Sequence, residues 1–78
     1  IVLQDSSISM NEYKDKLSFI KNIIINDASL NEYEVEWIEG ARNVTDVTLY
    51  SKNNYKYEGI KEYTLYNFDI NRILNKEK

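Results

Sequence analysis

The chain has no cysteine, no histidine and no proline, and only two glycines among its 78 residues. Without cysteine, no disulfide can staple the fold and no thiolate can hold a metal. Without histidine, the usual general base at neutral pH and the commonest metal ligand are both missing. No set of nucleophile, base and orienting group can be assembled from what remains, so catalysis, a cofactor and a small-molecule substrate are not expected. The lack of proline and scarcity of glycine imply short loops with few breaks. No apolar run approaches the roughly 20 residues that span a bilayer. Ile1-Val2-Leu3 is too short for the apolar region of a signal peptide, so no membrane is expected and an intracellular location is favoured.

What is present is ordinary for a globular chain: 42% hydrophobic and 29% charged residues, with seven tyrosines, one tryptophan and a net charge of −3. A chain this short lies near the limit at which one hydrophobic core suffices, so residues 1–78 are read as a single domain. The negative balance disfavours a nucleic acid partner.

Ile1 to Asp5 is a short apolar start, a lead-in strand or a frayed tail. Ser9-Met10-Asn11-Glu12 then has capping-box spacing. Met10, Tyr13, Leu17, Ile20 and Ile24 follow at helical intervals as the core face, with Lys14, Asp15, Lys16 and Lys21 on the solvated side. Asn26-Asp27 is the expected stop. From residue 30 to 41 two readings compete. A helix would align Leu30, Tyr33, Trp37, Ile38 and Ala41, whereas a strand alternates Tyr33, Val35 and Trp37 with Glu32, Glu34 and Glu36. Val35 fits only the strand, which is preferred, and Trp37 is expected at the core centre.

Gly40 to Asn43 forms the next turn, Val44 to Tyr50 a β-branched strand, and Asn53-Asn54 a hairpin turn into a third strand, Tyr55-Lys56-Tyr57, closing at Gly59. The tail is ambiguous between strand and helix. A helix from about Lys61 to Leu74 is preferred because a small sheet needs a second apolar cover. The fold class is therefore α+β in the order αβββα, a three-stranded antiparallel meander packed against two helices.

That order resembles the double-stranded RNA-binding domain. Ser9-Met10-Asn11-Glu12-Tyr13 with Lys16-Leu17 is similar to the opening helix of that family. Tyr33-Glu34-Val35 with Glu39-Gly40 resembles its first strand and turn, and Tyr57-Glu58-Gly59 the end of its third strand. The resemblance covers roughly Ser9 to Leu74. It implies duplex-RNA contacts at Glu12, at Arg42-Asn43 and at Lys61. Where the family has a lysine cluster this chain has Lys61 followed by Glu62 and Tyr63, so most phosphate contacts are missing. The expectation is a degenerate copy that binds duplex RNA weakly and serves protein–protein association, in an RNA-processing complex for example.

The surface expected to meet a protein partner is Glu32, Glu34, Glu36, Tyr50, Tyr55 and Tyr57. The alternative is a small acidic phage-type inhibitor occupying a nucleic-acid-binding groove of a host enzyme, with Glu32 to Glu39, Asp46 and Glu58 as one acidic patch. The plainer reading of Glu32, Glu34, Glu36 and Glu39 is the wet side of a half-buried strand, and a linear array is a poor metal site. The tyrosines are read first as core and rim packing and second as a stacking platform. Asn43-Val44-Thr45 matches the N-glycosylation acceptor pattern and is taken as chance.

Overall fold

The computed structural model describes residues 1–56 and 63–77. Its elements are β1 (Val2–Asp5), a 3₁₀ helix (Ile8–Tyr13), α1 (Lys14–Asn31), β2 (Val35–Gly40), β3 (Val44–Tyr50) and α2 (Ile70–Leu74). The strands form one sheet in the order β1-β2-β3. β1 runs parallel to β2, pairing Val2 with Trp37 and Gln4 with Glu39. β2 runs antiparallel to β3, pairing Val35 with Tyr50 and Trp37 with Thr48.

The fold is α+β with a three-stranded sheet, as expected, but the sheet is mixed. The apolar start is the third strand, and α1 is the crossover that a parallel pair requires. The expected third strand is not found where it can be followed. Ser51 and Asn54 bridge around Lys52 and Asn53, a two-residue turn one position earlier than Asn53-Asn54, and Tyr55 and Lys56 then leave the sheet. Tyr57, Glu58 and Gly59 lie outside the described residues.

α1 continues through Asn26-Asp27 because Ile25 and Ala28 are both buried and anchor the turns on either side. It stops at Glu32, which adopts the left-handed conformation (φ 57°). The Glu32 amide donates to Ser29 O at 3.3 Å and that of Tyr33 to Ala28 O at 2.9 Å. This is the paired bonding of a Schellman motif, with a glutamate where glycine is usual. Ser29 to Glu32 thus closes a helix although its spelling suits a start. Ser9-Glu12 does not form the expected capping box either; the cap position is Ser7, which makes no side-chain capping bond.

The buried face of α1 is Lys21, Ile25 and Ala28. This corrects two expectations. Ile20 and Ile24 are largely outside the core, and Lys21 is only 1% exposed.

Strand alternation sends Val35, Trp37 and Tyr50 toward α1, where Ile25 meets Trp37 and Tyr50 with Val2 at the margin. On the opposite face Ile38, Val44 and Ile73 form a second cluster with Leu3 and Phe68. α2 is far shorter than the expected Lys61–Leu74 helix. Asp69 caps it, accepting from the Arg72 amide at 3.3 Å. Of the segment before it, Thr64 instead bridges to Ser7 in parallel, so Tyr63 and Tyr66 share no helical stripe with Ile70 and Ile73.

Candidate functional site

Two regions contain the residues that sequence reasoning singled out, and a third is an exposed apolar arc on α1. In the first, the four glutamates do not share one wet face. Glu32 is the helix cap, Glu34 is exposed before β2 begins, and Glu36 pairs with Lys76 at 2.9 Å. Glu39 is 1% exposed, its Oε2 lying 3.4 Å from Lys21 Nζ. A contiguous acidic patch from Glu32 to Glu39 is therefore not present. Among the described residues no group of acidic side chains could hold a metal ion.

Lys21 Nζ also lies 5.0 Å from the Trp37 ring centre and 5.8 Å from that of Tyr50. The ammonium is thus held by a carboxylate and two aromatic faces, which together replace its lost hydration. Tyr50, expected at a protein-binding surface, is 1% exposed beneath this cation and belongs to the core. Trp37 Nε1 donates to Gln4 Oε1 at 2.8 Å and ties β1 to the same cluster. Tyr55 does lie near Glu32 and Glu34; its hydroxyl donates to Tyr33 O at 2.6 Å. Desolvation of that hydroxyl, then the charges of Glu32 and Glu34, raise its pKa from the ordinary 10.0. Tyr57 lies outside the described residues.

The second region is the turn after β2. Arg42 is exposed and stacks 5.3 Å from the Tyr66 ring centre. Asn43 is half-buried and its Oδ1 accepts from Arg72 Nη2 at 2.7 Å and from Nε at 3.0 Å. Arg72 Nε also donates to Arg42 O at 3.0 Å, so the turn is clamped to α2. The two residues expected to reach into a groove are thus engaged within the chain. Glu12 is exposed on the 3₁₀ helix, and Lys61 lies outside the described residues.

The third region was missed. On α1, Phe19 is 67% exposed, Ile20 50%, Ile23 52% and Leu30 77%, with Ile24 also exposed and Tyr13 exposed at the helix N-cap. These side chains occupy the helix arc next to the buried Lys21-Ile25-Ala28 face. An open groove of about 200 Å³ separates the helix from β1, lined by Val2, Gln4, Leu17, Ile20, Ile24 and Trp37 among others. The signal was legible: the apolar arc from Phe19 to Ile25 is wider than one sheet face can cover. No helix among the described residues is long and apolar enough to cross a membrane.

No protein-family model, curated protein or solved structure matches the chain.

Proposed function

We propose that this chain is a non-catalytic module that associates with protein through the outer face of α1. The observation that carries the reading is the exposed arc of Phe19, Ile20, Ile23 and Leu30, which a small soluble domain would otherwise leave in water. Each large aliphatic or aromatic side chain left exposed forgoes roughly 1.5–3 kcal/mol of burial free energy, and a protein partner recovers it. The surface moves from the sheet, where sequence reasoning put it, to the helix. Duplex RNA is disfavoured as a partner by the net charge of −3 and by the internal engagement of Arg42 and Asn43.

A photo-reactive amino acid at Ile23 tests the reading, with one at Asn22 on the polar side as control. In cells that express the chain, discrete protein adducts through position 23 and few through position 22 are expected. No protein adduct through position 23, or micromolar duplex-RNA binding with a steep salt dependence, would overturn it.

A further inference from the structure

We infer that the partner on this face is a second copy of the same chain, packed α1 against α1 in antiparallel orientation about a two-fold axis. The inference rests on the association reading above and adds the identity and geometry of the partner.

On α1, Lys16, Ile20, Ile23, Asp27 and Leu30 follow one another at alternating intervals of four and three residues, with Tyr13 three residues before them at the helix N-cap, and all are exposed. That alternation is the a/d seam of a coiled coil, which keeps one stripe facing a second helix. Phe19 and Ile24 border the stripe on either side and widen it.

The stripe is self-complementary under reversal. About the midpoint between Lys21 and Asn22, Ile20 mirrors Ile23, Lys16 mirrors Asp27, and Tyr13 at the N-cap mirrors Leu30 in the last turn. In an antiparallel pair the mirrored positions lie level. Ile20 then packs on the partner's Ile23, Lys16 meets the partner's Asp27, and Tyr13 covers the partner's Leu30. A two-fold axis repeats every one of these contacts, as an isologous interface requires. Lys16 has no ion pair among the described residues. Among the described residues the Asp27 carboxylate has only the Asn31 amide at 3.4 Å, so both charges are available to be matched. A parallel pair would instead oppose Lys16 to Lys16 and Asp27 to Asp27, and like charges in the seam select against it.

The 18 residues of α1 give about 27 Å of helix. One such helix pair lies at the small end of specific interfaces, so the dimer is expected to dissociate in the micromolar range.

Sedimentation equilibrium of the full chain tests the inference. A monomer–dimer equilibrium is expected, weakened at least about tenfold by Lys16→Asp and recovered by combining Lys16→Asp with Asp27→Lys. Both residues are exposed, so circular dichroism should show the fold unchanged in each variant.

The absence of native cysteine allows orientation to be read directly. An equimolar mixture of Lys16→Cys and Asp27→Cys chains should form a crossed disulfide under oxidation, while neither chain alone should link to itself. In the antiparallel pair two copies of position 16 are roughly 16 Å apart along the axis. A chain that stays monomeric at millimolar concentration, or single-cysteine chains that link to themselves, would overturn the inference. If a monomeric chain still gives protein adducts through Ile23, self-association fails and the association reading stands. If it gives none, both fall.

Discussion

Lys21 Nζ and Glu39 Oε2 lie 3.4 Å apart, with the two side chains 1% and 2% exposed. The pair sits between the buried face of α1 and the centre of the sheet, so α1 cannot dock without burying a charge. Glu39 Oε1 has no hydrogen-bond partner among the described residues, and a 3.4 Å contact is long for a charge-assisted bond. The pair thus contributes little net stability, yet breaking it strands a charge. Lys21→Met keeps the contact with Trp37 and Tyr50 and should cost about 3–5 kcal/mol, close to the whole stability of a chain this size. Lys21→Met combined with Glu39→Leu removes both charges and should recover most of that loss in urea denaturation. A double variant no more stable than the single one would show that the ion pair itself supplies the stability.

Glu32 occupies a left-handed position with φ 57°, which costs a residue bearing a Cβ on the order of 1 kcal/mol. Glu32→Gly should therefore raise stability by about 0.5–1 kcal/mol, even though it deletes a side chain and adds glycine. The reverse sign would mean that Glu32 has a compensating contact in the folded state. Thermal denaturation of the two proteins side by side decides it.

Gly40 makes the opposite case. A Cβ there would collide with Asn43 O, come within 2.6 Å of Ile73 Cδ1 and lie 3.0 Å from Val44 Cα. Two of these atoms belong to the backbone of the clamped turn and cannot move aside. Gly40→Ala should destabilise by about 1–3 kcal/mol through overpacking, with no change in backbone strain to offset it. Asn43→Ala removes the two side-chain bonds from Arg72 and leaves only Arg72 Nε to Arg42 O, so in that loosened background the Gly40→Ala penalty should shrink. A double-mutant cycle measures the coupling.

The parts of the fold that were legible are the local ones. β2 and β3 are joined by a short turn, and their β-branched alternation needs no distant partner to be seen. β1 has four residues and pairs with a strand more than thirty positions away, and no pattern in Ile1 to Asp5 names that partner. Lys21 was misplaced because periodicity scores a lysine as polar, while the fold supplies Glu39, Trp37 and Tyr50 as its surroundings. Tyr50 was misplaced for the converse reason: its partner Val35 sets its face, and that register is tertiary information. The exposed arc of α1 was visible as spacing, but some of its apolar residues, Tyr13 and Ile20 among them, fall on the face read as core. Only the position of the sheet shows which part of the arc remains outside.

Tyr63 gives the fold a dependence on alkaline pH. Its hydroxyl is buried and has no hydrogen-bond partner among the described residues. Burial, then the negative charges of Glu39 and Asp15, raise its pKa above the ordinary 10.0. All three causes penalise the phenolate, so the folded state holds the proton more tightly than the unfolded chain. The resulting stability is fully present below pH 10 and is lost as the pH rises through the folded-state value. Stability followed from neutral pH upward should therefore fall beyond pH 10. Tyr63→Phe has no proton to lose at that position and should show a shallower decline. Subtracting its phenolate absorbance titration from that of the unaltered chain isolates Tyr63 among the seven tyrosines. Glu39 contributes through its charge, so Glu39→Gln should move the Tyr63 titration downward, toward the ordinary value. A difference titration at or below pH 10 in the unaltered chain would show that the hydroxyl meets water, and that the segment bridging Thr64 to Ser7 is not docked as described.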